Sequence, residues 1–166
     1  MKPSDVAKAL ITCLDAKQPV CLWGSPGIGK SQIVHQTGIL TNREVRDVRA
    51  VLLDPVDLRG LPHVNGDGRS HWATPEFLPR DGQGIFFLDE LNRAVMMVQN
   101  ACFQLVLDGK LGEYTMPPEW RIVAACNHGR ISVEHAVRVH VFIDSCDCAI
   151  TVISCWQVVC FQVFEN

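Results

Sequence analysis

The sequence predicts an α/β fold of three layers, α/β/α, built on a parallel sheet, and three observations carry that prediction. Apolar runs without polar alternation occur at Val20 to Trp23, Ile85 to Leu88 and Ile122 to Cys126, as expected of strands buried on both faces. Each run ends at a residue suited to a sheet edge: Gly24, then Asp89 with Glu90, then Asn127. Stretches with apolar residues at helical spacing alternate with the runs, the pattern of a parallel sheet covered by helices.

Taken in order, Ser4 is placed to cap a helix in which Val6, Ala7, Leu10, Ile11 and Leu14 share one face, and Pro19 closes that segment. The first strand then leads into Gly24-Ser25-Pro26-Gly27-Ile28-Gly29-Lys30-Ser31, which fits the phosphate-binding pattern G-x-x-x-x-G-K-[ST]. Glycines let the backbone wrap with its N–H groups pointing inward, and a helix opens near Lys30, so the loop forms a concavity for an anion. Lys30 is a mobile positive charge for the β- and γ-phosphates of ATP, and the Ser31 hydroxyl is a hard oxygen ligand of the kind Mg²⁺ prefers.

The second helix is expected to run to Gly38, with a strand following within Val45 to Leu53. Asp54 to Pro62 has turn formers at both ends and reads as an ordered loop, and Val64 to Arg69 has hairpin chemistry, with His63 and His71 as surface residues on its arms. Gly84-Ile85-Phe86-Phe87-Leu88-Asp89-Glu90 is the second chemical motif. Its strand delivers two acids to the carboxyl edge of the sheet, where open α/β folds bind ligands. There Asp89 suits the Mg²⁺ shell, and Glu90 suits orienting an attacking water and accepting its proton.

Val98, Ala101, Cys102, Leu105 and Val106 mark a core-facing helix between Arg93 and Asp108, ended by Gly109. A short hairpin over Lys110 to Met116 precedes the last buried run, which brings Asn127 to the same edge as the two acids. An amide there can hydrogen-bond a water and a γ-phosphate oxygen together; a turn-forming asparagine is the plainer alternative.

Composition bounds the rest. The 166 residues fit one domain, and residues 1–130 balance 14 Lys+Arg against 14 Asp+Glu. No basic stripe calls for nucleic acid as a partner. The N-terminal segment is amphipathic and carries Asp5, Lys8 and Asp15, unlike a signal peptide, so the cytoplasm is the expected compartment and the eight cysteines read as free thiols.

With these motifs in this order, residues 3–128 resemble the AAA+ ATPases, most closely the MoxR-like and dynein-related branch. The resemblance rests on the phosphate loop, on Asp54-Pro55-Val56-Asp57-Leu58-Arg59-Gly60-Leu61-Pro62, on Thr74-Pro75-Glu76-Phe77-Leu78-Pro79, on Leu88-Asp89-Glu90-Leu91-Asn92-Arg93-Ala94 and on Ala124-Ala125-Cys126-Asn127. It implies strand order 5-1-4-3-2, a Mg·ATP site at a subunit boundary, and a homo-oligomer, usually a hexameric ring. It also makes Gly84 to Glu90 look like a Walker B strand and Asn127 like the sensor 1 residue. A protein-remodelling role follows by analogy, often beside a partner with a von Willebrand A domain.

Beyond Asn127 the likeness stops. Residues 131–166 hold no Gly, Pro or Lys, four of the eight cysteines, and 22 apolar residues of 36, so the expected division is a nucleotide-binding core over 1–130 and a divergent tail over 131–166. A frameshifted or divergent terminus is the leading explanation, and a fifth strand within Val137 to Ile143 or Ala149 to Ile153 the next. Ala149 to Phe164 is shorter than the ~20 residues of a spanning helix. The spacing of Cys146, Cys148, Cys155 and Cys160 is not that of a zinc finger. No helical lid is recognisable, and neither Arg130 nor Arg138 sits in the context of an arginine finger. Hydrolysis is therefore expected to be slow and to depend little on protein concentration; the alternative function is a truncated module that holds nucleotide and scarcely turns it over.

Overall fold

The computed structural model describes residues 3–127 and 159–162. Its elements in chain order are α1 (Pro3–Asp15), β1 (Val20–Gly24), α2 (Lys30–Leu40), β2 (Glu44–Arg49), α3 (Pro55–Arg59), β3 (Leu61–Val64), β4 (Ser70–Ala73), β5 (Gly84–Asp89), α4 (Met96–Asp108), β6 (Lys110–Leu111), β7 (Tyr114–Thr115), β8 (Trp120–Asn127) and β9 (Val159–Gln162). Single 3-10 turns at Ala50–Leu52 and Leu91–Arg93 follow β2 and β5.

Five strands form one sheet in the order β2-β5-β8-β1-β9, and every neighbouring pair is parallel. Counted along the chain as first to fifth strand, this is the order 5-1-4-3-2 that the family resemblance implies. The register aligns Gly24 with Asn127, Arg49 with Asp89 and Leu88 with Ala124, so the carboxyl ends of the central strands finish side by side.

The absence of polar alternation in the central runs has its cause in two cores, one on each face of the sheet. Ile85 and Phe87 of β5, with Val123 and Ala125 of β8, pack under α1 and α2 through Val6, Leu10, Leu14, Ile33 and Val34. Phe86 and Leu88, with Ile122, Ala124 and Cys126, pack on the other side against Val98, Cys102 and Leu105 of α4. Phe86 and Phe87 are fully buried on opposite faces, each worth about 1.5–3 kcal/mol of apolar burial.

Several boundaries differ from the sequence expectation. Helix α1 begins at Pro3, so Ser4 lies inside its first turn and is not the cap; proline suits that first position because the amide it lacks would have no helical partner. Helix α2 passes through Gly38 to Leu40, because Gly38 is there for close approach: a Cβ would run into the Val45 side chain of β2 and come within 3.1 Å of the Arg43 carbonyl. Strand β2 stops at Arg49, where Ala50 turns into the core. Asp54 to Pro62 is no simple loop, since Pro55–Arg59 is helical and Asp57 Oδ2 accepts the Asp54 N–H at 2.9 Å. Helix α4 starts at Met96, three residues after the expected Arg93, which belongs to the preceding 3-10 turn.

Both expected hairpins are present: β3 pairs with β4, setting His63 opposite His71 on exposed arms, and β6 pairs with β7. The fifth strand lies at Val159–Gln162, C-terminal to both segments proposed for it, in register with Val20 to Trp23. Those two segments, Arg130, Arg138 and the cysteines at 146, 148 and 155 lie outside the described residues. Among the described residues, no helix is long and apolar enough to cross a membrane.

Candidate active site

Between β1 and α2 the chain turns through Ser25 to Gly29, with Gly27 and Gly29 both at φ 85°, a conformation that costs a side chain but not glycine. Gly29 is the N-cap of α2 and offers no side-chain hydrogen bond, so the first N–H groups of the helix lack the usual capping acceptor. Uncapped N–H groups at the positive end of a helix dipole are a fit for phosphate oxygens. Ile28 anchors the turn by packing on the α1/α2 core, while Pro26 stays exposed.

Lys30 is buried, at 6% exposure, and its ammonium group is fully engaged. Nζ donates to the Gly24 carbonyl at 2.9 Å, the Ser25 carbonyl at 2.9 Å and Asn127 Oδ1 at 2.8 Å. Burial pulls the Lys30 pKa down, and the nearby carboxylates of Asp89 and Glu90 pull against that shift. Beside it, Ser31 Oγ donates to Asp89 Oδ2 at 3.1 Å, placing a hydroxyl and a carboxylate together as hard oxygen donors suited to Mg²⁺.

At the end of β5, Asp89 Oδ1 accepts the Glu90 N–H at 2.8 Å. Glu90 itself has φ 54° and ψ 33°, a left-handed conformation that is strained for a residue with a side chain. Its Oε1 accepts from Asn127 Nδ2 at 3.3 Å and from Arg93 Nη1 at 3.2 Å. Asn127 therefore bridges the lysine and the glutamate, with its oxygen toward the cation and its amide nitrogen toward the carboxylate, the one orientation that satisfies both.

Every residue singled out from the sequence thus meets at one edge: Gly24 to Ser31 as the loop and its helix start, Asp89 and Glu90 from β5, Asn127 from β8. Sequence reasoning gave no role to Asn92 or Arg93. Asn92 brackets the Asn127 peptide, donating from Nδ2 to its carbonyl at 2.8 Å and accepting its N–H on Oδ1 at 3.1 Å. Neither periodicity nor spacing marks such a residue, because a single 3-10 turn has no repeat to read; the polar Asn92-Arg93 pair one residue after the two acids is the one visible signal. A depression lined by His35, Gly38, Ile39, Asn42, Arg43 and Glu44 lies toward the other end of α2 and includes none of these groups.

A five-stranded parallel sheet with a glycine-rich turn leading from β1 into a helix, and acids at the end of β5 one strand beyond the adjacent β8, defines a P-loop nucleotide-binding domain. The family model of the AAA domain, dynein-related subfamily, matches residues 19–138, and the chain belongs to that family. Solved structures share the fold at low identity. A candidate ATPase from Cytophaga hutchinsonii aligns with a TM-score of 0.52 at 19% identity, over 76% of this chain and 39% of that one. The RuvB Holliday junction branch migration motor of Thermotoga maritima gives 0.50 at 20% identity, over 74% and 38%. NtrX from Brucella abortus, solved with ADP, gives 0.53 at 16% identity, over 78% and 30%. The chain spans well under half the length of each. ATP binding and hydrolysis are the general activity of AAA domains.

Proposed function

We propose that this chain binds Mg·ATP at the turn from Gly24 to Ser31 and hydrolyses it, and that the hydrolysis drives remodelling of a partner protein in the manner of MoxR-like AAA+ ATPases. The supporting observation is the continuous hydrogen-bonded path from Lys30 through Asn127 to Glu90, alongside the Ser31–Asp89 pair.

In this reading the N–H groups of the loop and of the first turn of α2 hold the phosphates, and Lys30 exchanges part of its bonding to Gly24 and Ser25 for phosphate oxygens. Ser31 and Asp89 would hold Mg²⁺, which when bound neutralises charge on the phosphate oxygens. Glu90 orients the attacking water and takes its proton, and Asn127 keeps that carboxylate at a fixed position relative to the lysine. Water attacks the γ-phosphorus and the bond to the β,γ-bridging oxygen breaks, giving ADP and inorganic phosphate.

The nucleotide-binding core in this account is residues 1–130, with 131–166 a divergent stretch from which Val159–Gln162 adds the edge strand. A homo-oligomer, in the family a hexamer, a protein substrate or von Willebrand A-domain partner, and a cytoplasmic location accompany the reading by family analogy. Phosphate release from ATP, measured with Mg²⁺ and with excess chelator, tests it. Mg²⁺-dependent release supports the reading, nucleotide binding without release favours the inactive binding module, and the absence of binding overturns both.

A further inference from the structure

Asn127 is the last residue of β8, and two features place its side chain: its backbone and its χ angles. The Asn127 backbone is held by the Asn92 side chain at both of its polar groups, N–H and C=O. Asn92 is itself held firmly. The 3-10 turn that carries it is closed by Arg93 N–H to the Glu90 carbonyl at 2.9 Å and by Ala94 N–H to the Leu91 carbonyl at 3.3 Å. Leu91 and Ala94, on either side, are buried in the α4-side core at 3% and 6% exposure. A rigid turn after β5 thus sets where the end of β8 lies, and with it where Asn127 meets Lys30 and Glu90.

We propose that Asn92 is a positioning residue for hydrolysis, acting only through Asn127. The proposal rests on the ATP-hydrolysing reading above. The chemistry explains why asparagine is needed. Aspartate has the same shape and can accept the Asn127 N–H, but it sets a carboxylate oxygen against the Asn127 carbonyl where a donor is required. Alanine removes both bonds and leaves the peptide of Asn127 without them. Nucleotide affinity resides in the loop and Lys30, which Asn92 does not touch, whereas alignment of Glu90 depends on Asn127. Misplacing a catalytic constellation by about 1 Å costs roughly 100-fold in rate.

The test compares Asn92→Asp and Asn92→Ala in the full chain, each alone and combined with Asn127→Ala. Both single variants are expected to lower kcat roughly 10- to 100-fold while KM and ADP affinity stay within about 3-fold. On the Asn127→Ala background, adding Asn92→Ala is expected to cost nothing more, because the group it positions is gone. Faster hydrogen exchange at the Asn127 amide in Asn92→Ala, which removes its acceptor, gives a readout that needs no turnover. Wild-type kcat in the Asn92 variants, a full multiplicative loss on the Asn127→Ala background, or unchanged exchange at Asn127 in Asn92→Ala would each overturn the role. If wild type shows no hydrolysis while the exchange change appears, the failed premise is the ATPase reading, and the role in catalysis falls with it.

Discussion

Replacing Lys30 by alanine is the sharpest probe of the phosphate cradle, because the structure shows what the ammonium group gives up as well as what it gains. Nζ holds three acceptors at 2.8 to 2.9 Å before any phosphate arrives. Hydrogen bonds to a charged group are worth about 1.5–3 kcal/mol each. An ammonium group has three N–H donors, so each new bond to a phosphate oxygen replaces one to a carbonyl, and the gain is the attraction of opposite charges, about 4 kcal/mol at ~4 Å and an effective dielectric of ~20. With screening by water and salt the surplus is about 2–4 kcal/mol, which corresponds to nucleotide binding weaker by about 30- to 1000-fold in Lys30→Ala. The variant also deprives Asn127 Oδ1 of its donor, so any remaining turnover should fall further than affinity does. Calorimetric titration with ADP and with a non-hydrolysable ATP analogue, both in Mg²⁺, measures the affinity term. Equal affinity in wild type and variant, within about 3-fold, would refute the placing of phosphate against Lys30.

Three further outcomes are expected. Arg121 is buried beneath α1, donating to the carbonyls of Leu14 at 3.0 Å, Pro118 at 2.7 Å and Trp120 at 3.0 Å. Arg121→Met fills much of the volume but strands those carbonyls, and should lower unfolding free energy by about 2–4 kcal/mol; an unchanged denaturant midpoint would count against the staple. Burial pushes the Cys102 thiol up to about 12, so its thiolate fraction at pH 8 is about 10⁻⁴. Peptide mapping after alkylation of the native protein should find Cys102 unmodified until denaturant is added, and rapid native labelling would contradict its burial. Specific ATPase activity should change little across a protein concentration series followed by light scattering. A steep rise in specific activity on assembly would show instead that a neighbouring subunit completes the site.

Much of the fold was legible because parallel strands buried on two faces leave a strong one-dimensional signal. Ile85 to Leu88 has no polar residue because Phe86 and Phe87 face different cores, and the acids appear where the strand leaves them. The loop was legible for a similar reason, since few sequences place two glycines, a lysine and a serine at those spacings. Helix ends were harder to place. Gly38 has the composition of a stop signal, yet it serves the contact with Val45, which lies on a strand and cannot be seen from the helix. Asn92 was hidden because its partner is the Asn127 backbone, 35 residues away, and a backbone group leaves no mark on composition. The fifth strand lies later than β-branched content suggests, because the pairing to β1 that selects Val159–Gln162 leaves no mark on composition.

The central claim is that nucleotide is held at the Gly24 to Ser31 turn and hydrolysed by water activated at Glu90. Glu90→Gln tests it most directly, because the amide keeps the size of the side chain but cannot take a proton. ADP affinity and phosphate release would be measured on the same preparations of wild type and variant. The account predicts affinity within about 3-fold of wild type and phosphate release lowered by at least about 100-fold, the scale of a general base. Release at the wild-type rate from a variant that binds nucleotide normally would contradict it.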